Sequence, residues 1–236
     1  MLGSHKAIVV LTGAGISVPS GLRSYRGPGG LWNEPGVAHF STKEGFAQDP
    51  EGCWQFWTAM KQRAKEAQPN EGHLALAGWE KELFADSRFT LITQNVDDLH
   101  QRAGSKNVVE LHGSLFRTRC SDPQCSLPSF RDDKLHAETP ICDRCGSFLR
   151  PDIVLFGEML PPLADHQAKK ALRDCDLFIA IGTSGTVSPA SRFVEWAKLA
   201  EADTVLINLE ASDPRNKYFD LELVGSADKI LPSLYQ

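Results

Sequence analysis

Five short apolar runs, each closed by small or polar residues, constrain this chain more than any other feature. They are Ala7 to Leu11, Phe89 to Thr93, Val108 to Leu111, Leu177 to Ile181 and Val205 to Ile207. Each is continuous rather than alternating, as expected of strands covered on both faces. Helical patterns fill the intervals, notably Asp49 to Ala67, His73 to Leu83, Ala164 to Asp174 and Ala190 to Ala200. Strand alternating with helix implies an α/β chain built on a doubly wound parallel sheet. At 236 residues the chain is long for one domain and short for two, so one main core with a smaller inserted module is expected.

Two stretches interrupt the rhythm. Gly21 to Phe46 carries Gly27-Pro28-Gly29-Gly30 and Glu34-Pro35-Gly36 and reads as a loop with short helical turns. With the helical patterns that follow, it makes a segment spanning 21–84. Arg117 to Pro151 shows little hydrophobic periodicity and holds two cysteine pairs, Cys120-x4-Cys125 and Cys142-x2-Cys145. Tetrahedral zinc held by four thiolates needs this layout, each pair presenting two sulfurs from a tight turn. Four protein ligands leave no position for water or substrate, so the ion is expected to be structural, and 117–151 to be an inserted zinc-binding module.

Composition narrows the function classes. Hydrophobic residues make up 42% and charged residues 23%, which fits a folded soluble domain and neither a disordered nor a membrane chain. The net charge of −5, with scattered basic residues, lacks the footprint of a nucleic-acid binder and suits basic protein tails better. The first apolar run is too short for a signal segment, and none approaches a membrane span, so a soluble cytoplasmic protein is expected. The two remaining cysteines, Cys53 and Cys175, stand alone, a pattern suited to metal ligation in a reducing compartment rather than to disulfides.

The first strand runs into Gly13-Ala14-Gly15-Ile16-Ser17, a glycine turn of the kind that brings backbone N–H groups to a pyrophosphate. Val18 occupies the third glycine position of the full G-x-G-x-x-G pattern, so the turn alone is equally a plain glycine turn. Four further strands end in Thr93-Gln94-Asn95-Val96-Asp97, Leu111-His112-Gly113, Gly182-Thr183-Ser184 and Asn208-Leu209-Glu210. In an open parallel sheet the carboxyl ends of the strands line one crevice, so all five motifs converge on one site. Turn chemistry explains one or two such endings, not His112 and Asn95 together.

Taken in order with Gly21, Arg26, the four cysteines and Phe156-Gly157-Glu158, these residues resemble the sirtuin family over nearly the whole chain. The stretch Gly21 to Arg26 is most similar to the bacterial and mitochondrial deacylase branch, with Ser24 and Tyr25 standing where that branch has Thr and Phe. The resemblance implies a Rossmann-like large domain, a small domain made of the zinc module and a helical segment, and a cleft between them for NAD and an acyl-lysine peptide. It implies His112 as general base toward a ribose hydroxyl, a task suited to an imidazole of pKa near ~6.5. Asn95 then holds the ribose or a water, and Asp97 the nicotinamide carboxamide. Arg26 orders the glycine loop. Gly182, Thr183 and Ser184 face phosphate, while Asn208 and Glu210 face the adenosine ribose; Trp32, Gln94, Leu209 and Ala227 complete the cofactor contacts.

On the substrate side the resemblance implies that Val154 to Glu158 pairs with the peptide backbone as an added strand. Relatives that prefer acidic acyl groups carry Tyr-x-x-Arg on the helix after the glycine loop, and here Trp57 and Met60 stand at those positions. Neither pairs with a carboxylate, and an unpaired buried carboxylate is costly. Acetyl or longer uncharged acyl groups are therefore expected over succinyl and malonyl, with Lys61 and Arg63 the nearest cations. A monomer with NAD and one zinc is expected. The alternatives using the same site are ADP-ribosyl transfer to protein and NAD hydrolysis, and, outside catalysis, an NAD-binding zinc adaptor.

Overall fold

The computed structural model describes residues 5–25, 29–83 and 88–234. Its strands are β1 (Ala7–Thr12), β2 (Arg88–Thr93), β3 (Val108–Glu110), β4 (Gly113–Cys120), β5 (Phe130–Arg131), β6 (Leu149–Ile153), β7 (Leu177–Ile181), β8 (Asp203–Asn208) and β9 (Leu221–Val224). Six of them form one parallel sheet in the order β3-β2-β1-β7-β8-β9. The order runs outward in both directions from β1, as a doubly wound Rossmann-like sheet requires. Every residue of β1 and β7 is buried, which is why those runs are continuously apolar.

The helices are α1 (Val37–Phe40), α2 (Lys43–Gln48), α3 (Pro50–Glu66), α4 (Glu71–Gly78), α5 (Leu99–Ala103), α6 (Pro162–Arg173), α7 (Phe193–Leu199) and α8 (Ala227–Ser233). Strand side chains alternate between two helical layers. Val9, Leu11, Phe178 and Ala180 pack with Ala168 and Leu172 of α6 and Phe193 and Ala197 of α7. Ile8, Val10, Leu177 and Ile179 pack on the other face with Leu76 of α4 and Leu231 of α8. The helix expected from His73 starts earlier, at Glu71, where the Asn70 side chain accepts from the Gly72 N–H. It continues past Gly78 as one π-type turn, Trp79–Leu83.

A second, antiparallel sheet has the order β5-β4-β6, with Cys120 at the end of β4 and the other three zinc-module cysteines in its loops. It begins directly after His112, and its apolar side packs on α3: Trp57 and Ala64 meet Leu115, Phe116, Ile153 and Leu155. Asp49 caps α3 by accepting from the Gly52 N–H at 2.8 Å, with Pro50 in the first turn, where its missing N–H breaks no helical bond. The small sheet therefore stands at the carboxyl edge of the large one. Among the described residues no helix is long and apolar enough to cross a membrane.

Candidate active site

The five strand endings expected to converge lie along one edge of the parallel sheet. The glycine turn after β1 is fastened to the end of β7. The Gly13 N–H donates to the Ile181 carbonyl and the Gly15 N–H to the Gly182 carbonyl, both at 2.9 Å. These two donors are thus committed to the end of β7. A Cβ on Gly15 would sit 2.6 Å from Gly182 Cα, and Gly182 itself has φ +59, so glycine is needed because two backbones meet there. Residues 14–20 follow as a short 3-10 segment with Ile16 and Ser17 buried. Beside it, Gln94 Nε2 donates to Thr183 Oγ1 at 3.1 Å and Asn208 Nδ2 to the Thr183 carbonyl at 2.9 Å. Ser184 pairs with Thr186 through their hydroxyls at 2.9 Å. Leu209 and Glu210 are exposed and Ala227 is buried. Arg26 lies outside the described residues.

Ser17 organises the adjoining polar core. Its hydroxyl donates to Asp97 Oδ2 at 2.7 Å and accepts from Asn95 Nδ2 at 3.2 Å, while Asn95 Nδ2 also donates to the Gly13 carbonyl at 3.1 Å. Asp97 Oδ1 accepts the Leu99 N–H at 3.1 Å. Burial pushes the Asp97 carboxyl upward, opposed by the Ser17 and Leu99 hydrogen bonds. His73 Nδ1 accepts the Asn70 N–H at 3.3 Å, which leaves Nε2–H to face Ser17 Oγ at 3.5 Å. Thr12 Oγ1 donates to Thr93 Oγ1 and lies 2.9 Å from His100 Nε2, so that nitrogen carries the proton. His73, His100, Thr12 and Thr93 are fully or nearly buried. Thr93 belongs to a strand-end motif expected at the site, whereas the sequence alone gives Thr12, His73 and His100 no role there beyond the Asn70-x-x-His73 capping pattern.

His112 follows β3 and is half-buried. Its Nδ1 lies 3.0 Å from the Gln94 carbonyl. A carbonyl only accepts, so Nδ1 holds the proton and Nε2 is left with its lone pair. Burial lowers the His112 pKa, with the Gln94 hydrogen bond opposing. Gly113 after it has φ +79, and a Cβ there would meet the Asp152 carbonyl oxygen at 2.1 Å, so glycine is required where β4 leaves the histidine against β6. The His112 carbonyl accepts the Val154 N–H at 2.9 Å, which fastens the expected substrate segment to the expected base.

That segment meets the glycine-rich loop as well. The Trp32 and Phe156 rings are 5.0 Å apart, edge to face, with Tyr25 5.8 Å from Trp32. The Phe156 N–H donates to the Ser41 carbonyl at 2.9 Å, and the Tyr25 hydroxyl donates to Ser41 Oγ. Trp57 is buried with Nε1 donating to the Phe40 carbonyl at 2.9 Å. Met60 and Val96 flank the same apolar cluster. Lys61 is 5% exposed, its ammonium 3.9 Å from Asp132, and Arg63 is exposed. The Glu158 carboxylate is turned toward Arg150 rather than outward.

The cysteine quartet passes a geometric test for metal. About 2.3 Å zinc–sulfur bonds in a tetrahedron set sulfurs about 3.8 Å apart. Here Cys120 and Cys145 sulfurs are 3.4 Å apart, Cys125 and Cys142 3.7 Å, and all four lie within 4.8 Å of one another. None is in a disulfide. The chemistry of four convergent thiols fits one structural zinc.

A Rossmann-like sheet whose strand ends gather glycine, asparagine and histidine, with a four-thiolate metal site beside it, defines a dinucleotide-binding class of protein. The Sir2 family model matches residues 13–189. The chain is 42% identical over 236 residues to NAD-dependent protein deacylase 2 of Pyrobaculum aerophilum, covering 100% of this chain and 92% of that protein. It is 43% identical over 235 residues to the NAD-dependent protein deacylase of Escherichia coli, covering 97% and 81%. It also superposes on a solved Sir2–p53 peptide–NAD+ complex with TM-score 0.81 at 31% identity, covering 98% and 92%. The chain belongs to the Sir2 family, as the order of its motifs implies.

Proposed function

We propose that this protein is an NAD-dependent deacylase that strips acetyl or longer uncharged acyl groups from protein lysines, releasing nicotinamide and O-acyl-ADP-ribose. The observation that carries the reading is His112: Nδ1 is spent on the Gln94 carbonyl, and the pKa is lowered by burial. Nε2 is therefore a free base at neutral pH, poised to take a proton from a ribose hydroxyl. NAD supplies an anomeric carbon whose nicotinamide leaves, and the residues around it orient and exclude. Asn95 and Asp97, held by Ser17, fix ribose and carboxamide. The strand-end loops at Thr183 and Asn208, tied together at 2.9 Å, hold the far half of the dinucleotide. Trp32 and Phe156 close the junction between cofactor and substrate segments. Positioning carries much of the rate. The names of the relatives, NAD-dependent protein deacylases, support the same activity.

The acyl preference rests on Trp57 and Met60, which present no cation, and on Lys61, which faces Asp132 instead. An equal mixture of acetyl-, butyryl- and succinyl-lysine peptides incubated with NAD tests this by mass spectrometry. The acetyl and butyryl peptides are expected to disappear at least ~10-fold faster than the succinyl peptide, roughly 1.4 kcal/mol of discrimination. Faster loss of succinyl overturns the pocket reading. Nicotinamide release without any acyl loss favours NAD hydrolysis or ADP-ribosyl transfer.

A further inference from the structure

Glu158 stands where the family pattern implies a substrate residue, yet it is bound inward. Its Oε1 accepts from Arg150 Nη1 at 2.6 Å and from Arg119 Nη2 at 3.5 Å, while Oε2 accepts from Arg150 Nη2 at 3.1 Å and the Leu155 N–H at 2.9 Å. The Glu158 N–H donates in turn to the Leu155 carbonyl at 3.0 Å. Residues 155–158 thus form a turn closed once by backbone and once by side chain. Arg150 is 4% exposed. It also donates to the Ile153 carbonyl at 2.8 Å, and its guanidinium lies 5.2 Å from the centre of the Phe46 ring.

A guanidinium this buried, left without its carboxylate, is an uncompensated charge, so the pair resists parting. Burial raises the Glu158 pKa, but the Arg150 hydrogen bond and charge, with the Leu155 N–H, bring it below the usual carboxylate range. The Glu158 carboxylate is therefore ionised in the folded protein near neutrality. Val154 to Phe156 runs from the Arg150 contact at Ile153 into the Glu158 turn, its Val154 N–H anchored to the His112 carbonyl and its Phe156 N–H to the Ser41 carbonyl.

We infer that Arg150 and Glu158 are positioning residues that hold the segment Val154 to Phe156 in place beside His112, so that Glu158 acts on the substrate through Arg150 and the Leu155 backbone and not by contact. The inference rests on the deacylase reading and on the peptide pairing with this segment. Glu158→Gln keeps the shape and the Leu155 contact but removes the charge; Arg150→Lys keeps the charge and loses the two-pronged geometry. With an acetyl-lysine peptide both variants are expected to raise the peptide KM about tenfold, with kcat and the KM for NAD within about twofold. With N-acetyl-lysine alone, which has no flanking backbone to pair, kcat/KM is expected to stay unchanged. Peptide KM unmoved in Glu158→Gln overturns the inference, and that variant decides alone if Arg150→Lys does not fold. Equal losses on peptide and single amino acid also overturn it, since the pair then serves the reacting centre itself. A wild-type protein that turns over no acyl-lysine peptide removes the deacylase reading and this inference together; an active wild type with unaffected variants removes only the inference.

Discussion

Burial acts in one direction on three histidines and has two consequences. For His112 it lowers the pKa against the opposing Gln94 hydrogen bond, and a general base works only when deprotonated. The acid limb of kcat/KM against pH is therefore expected below the ordinary histidine value of ~6.5, with a flat profile through neutrality; an acid limb above pH 7 contradicts the assignment. His73 is lowered to about 4 by desolvation, and His100 falls well below its ordinary value by desolvation and the neighbouring His73. Both are neutral in the fold, whereas the unfolded chain binds their protons near pH ~6.5. Stability is therefore lost as pH falls below that value, by roughly 2 kcal/mol for His73 at pH 5. Asp97, raised by burial, acts with the opposite sign, because the fold takes its proton first. Urea midpoints at pH 7 and pH 5, compared with His73→Gln, isolate the histidine: the variant is expected to lose less stability on acidification, and an equal loss contradicts the argument.

Elements show where the sequence was readable. The five apolar runs all became strands of the parallel sheet, because burial on both faces leaves a mark that needs no knowledge of neighbours. β9 escaped notice because Leu221–Val224 is short and only partly buried at the sheet's edge. β4 and β6 escaped because charged residues break their apolar pattern. In the fold those charges meet across the pair, Arg117 and Arg119 with Asp152, a contact invisible to periodicity. The glycine turn was legible as a turn, but its partner was not, since Gly182 comes from a strand far along the chain. The same limit hid His73, whose contact with Ser17 spans 56 positions. The zinc spacing was legible and its mechanical role is testable. Chelation is expected to release hydrogen-exchange protection in β4 and β6 while β1 and β7 keep theirs, and to reduce acyl removal more than ~10-fold, since a thiolate site contributes folding energy directly. Uniform loss across both sheets indicates one cooperative unit, and no change in either indicates that the quartet holds nothing.

At the scale of the whole molecule the site exists only where two sheets meet. The parallel sheet brings Thr12, Asn95, His112, Thr183 and Asn208 to one edge, and the small sheet starts one residue beyond the histidine. α3 and the 154–156 segment then build the apolar wall containing Trp57, Met60 and Leu155. The proposed cofactor and substrate sides share His112 through two carbonyls, Gln94 accepting from its ring and its own accepting from Val154. This shared residue is the proposed base for NAD-dependent acyl transfer. Mass spectrometry of an acetyl-lysine peptide incubated with NAD, native protein against His112→Ala, tests it most directly. Deacetylated peptide and O-acetyl-ADP-ribose are expected in equal amounts with the native protein, only when NAD is present, and at least ~100-fold less with the variant. Undiminished deacetylation by His112→Ala contradicts it.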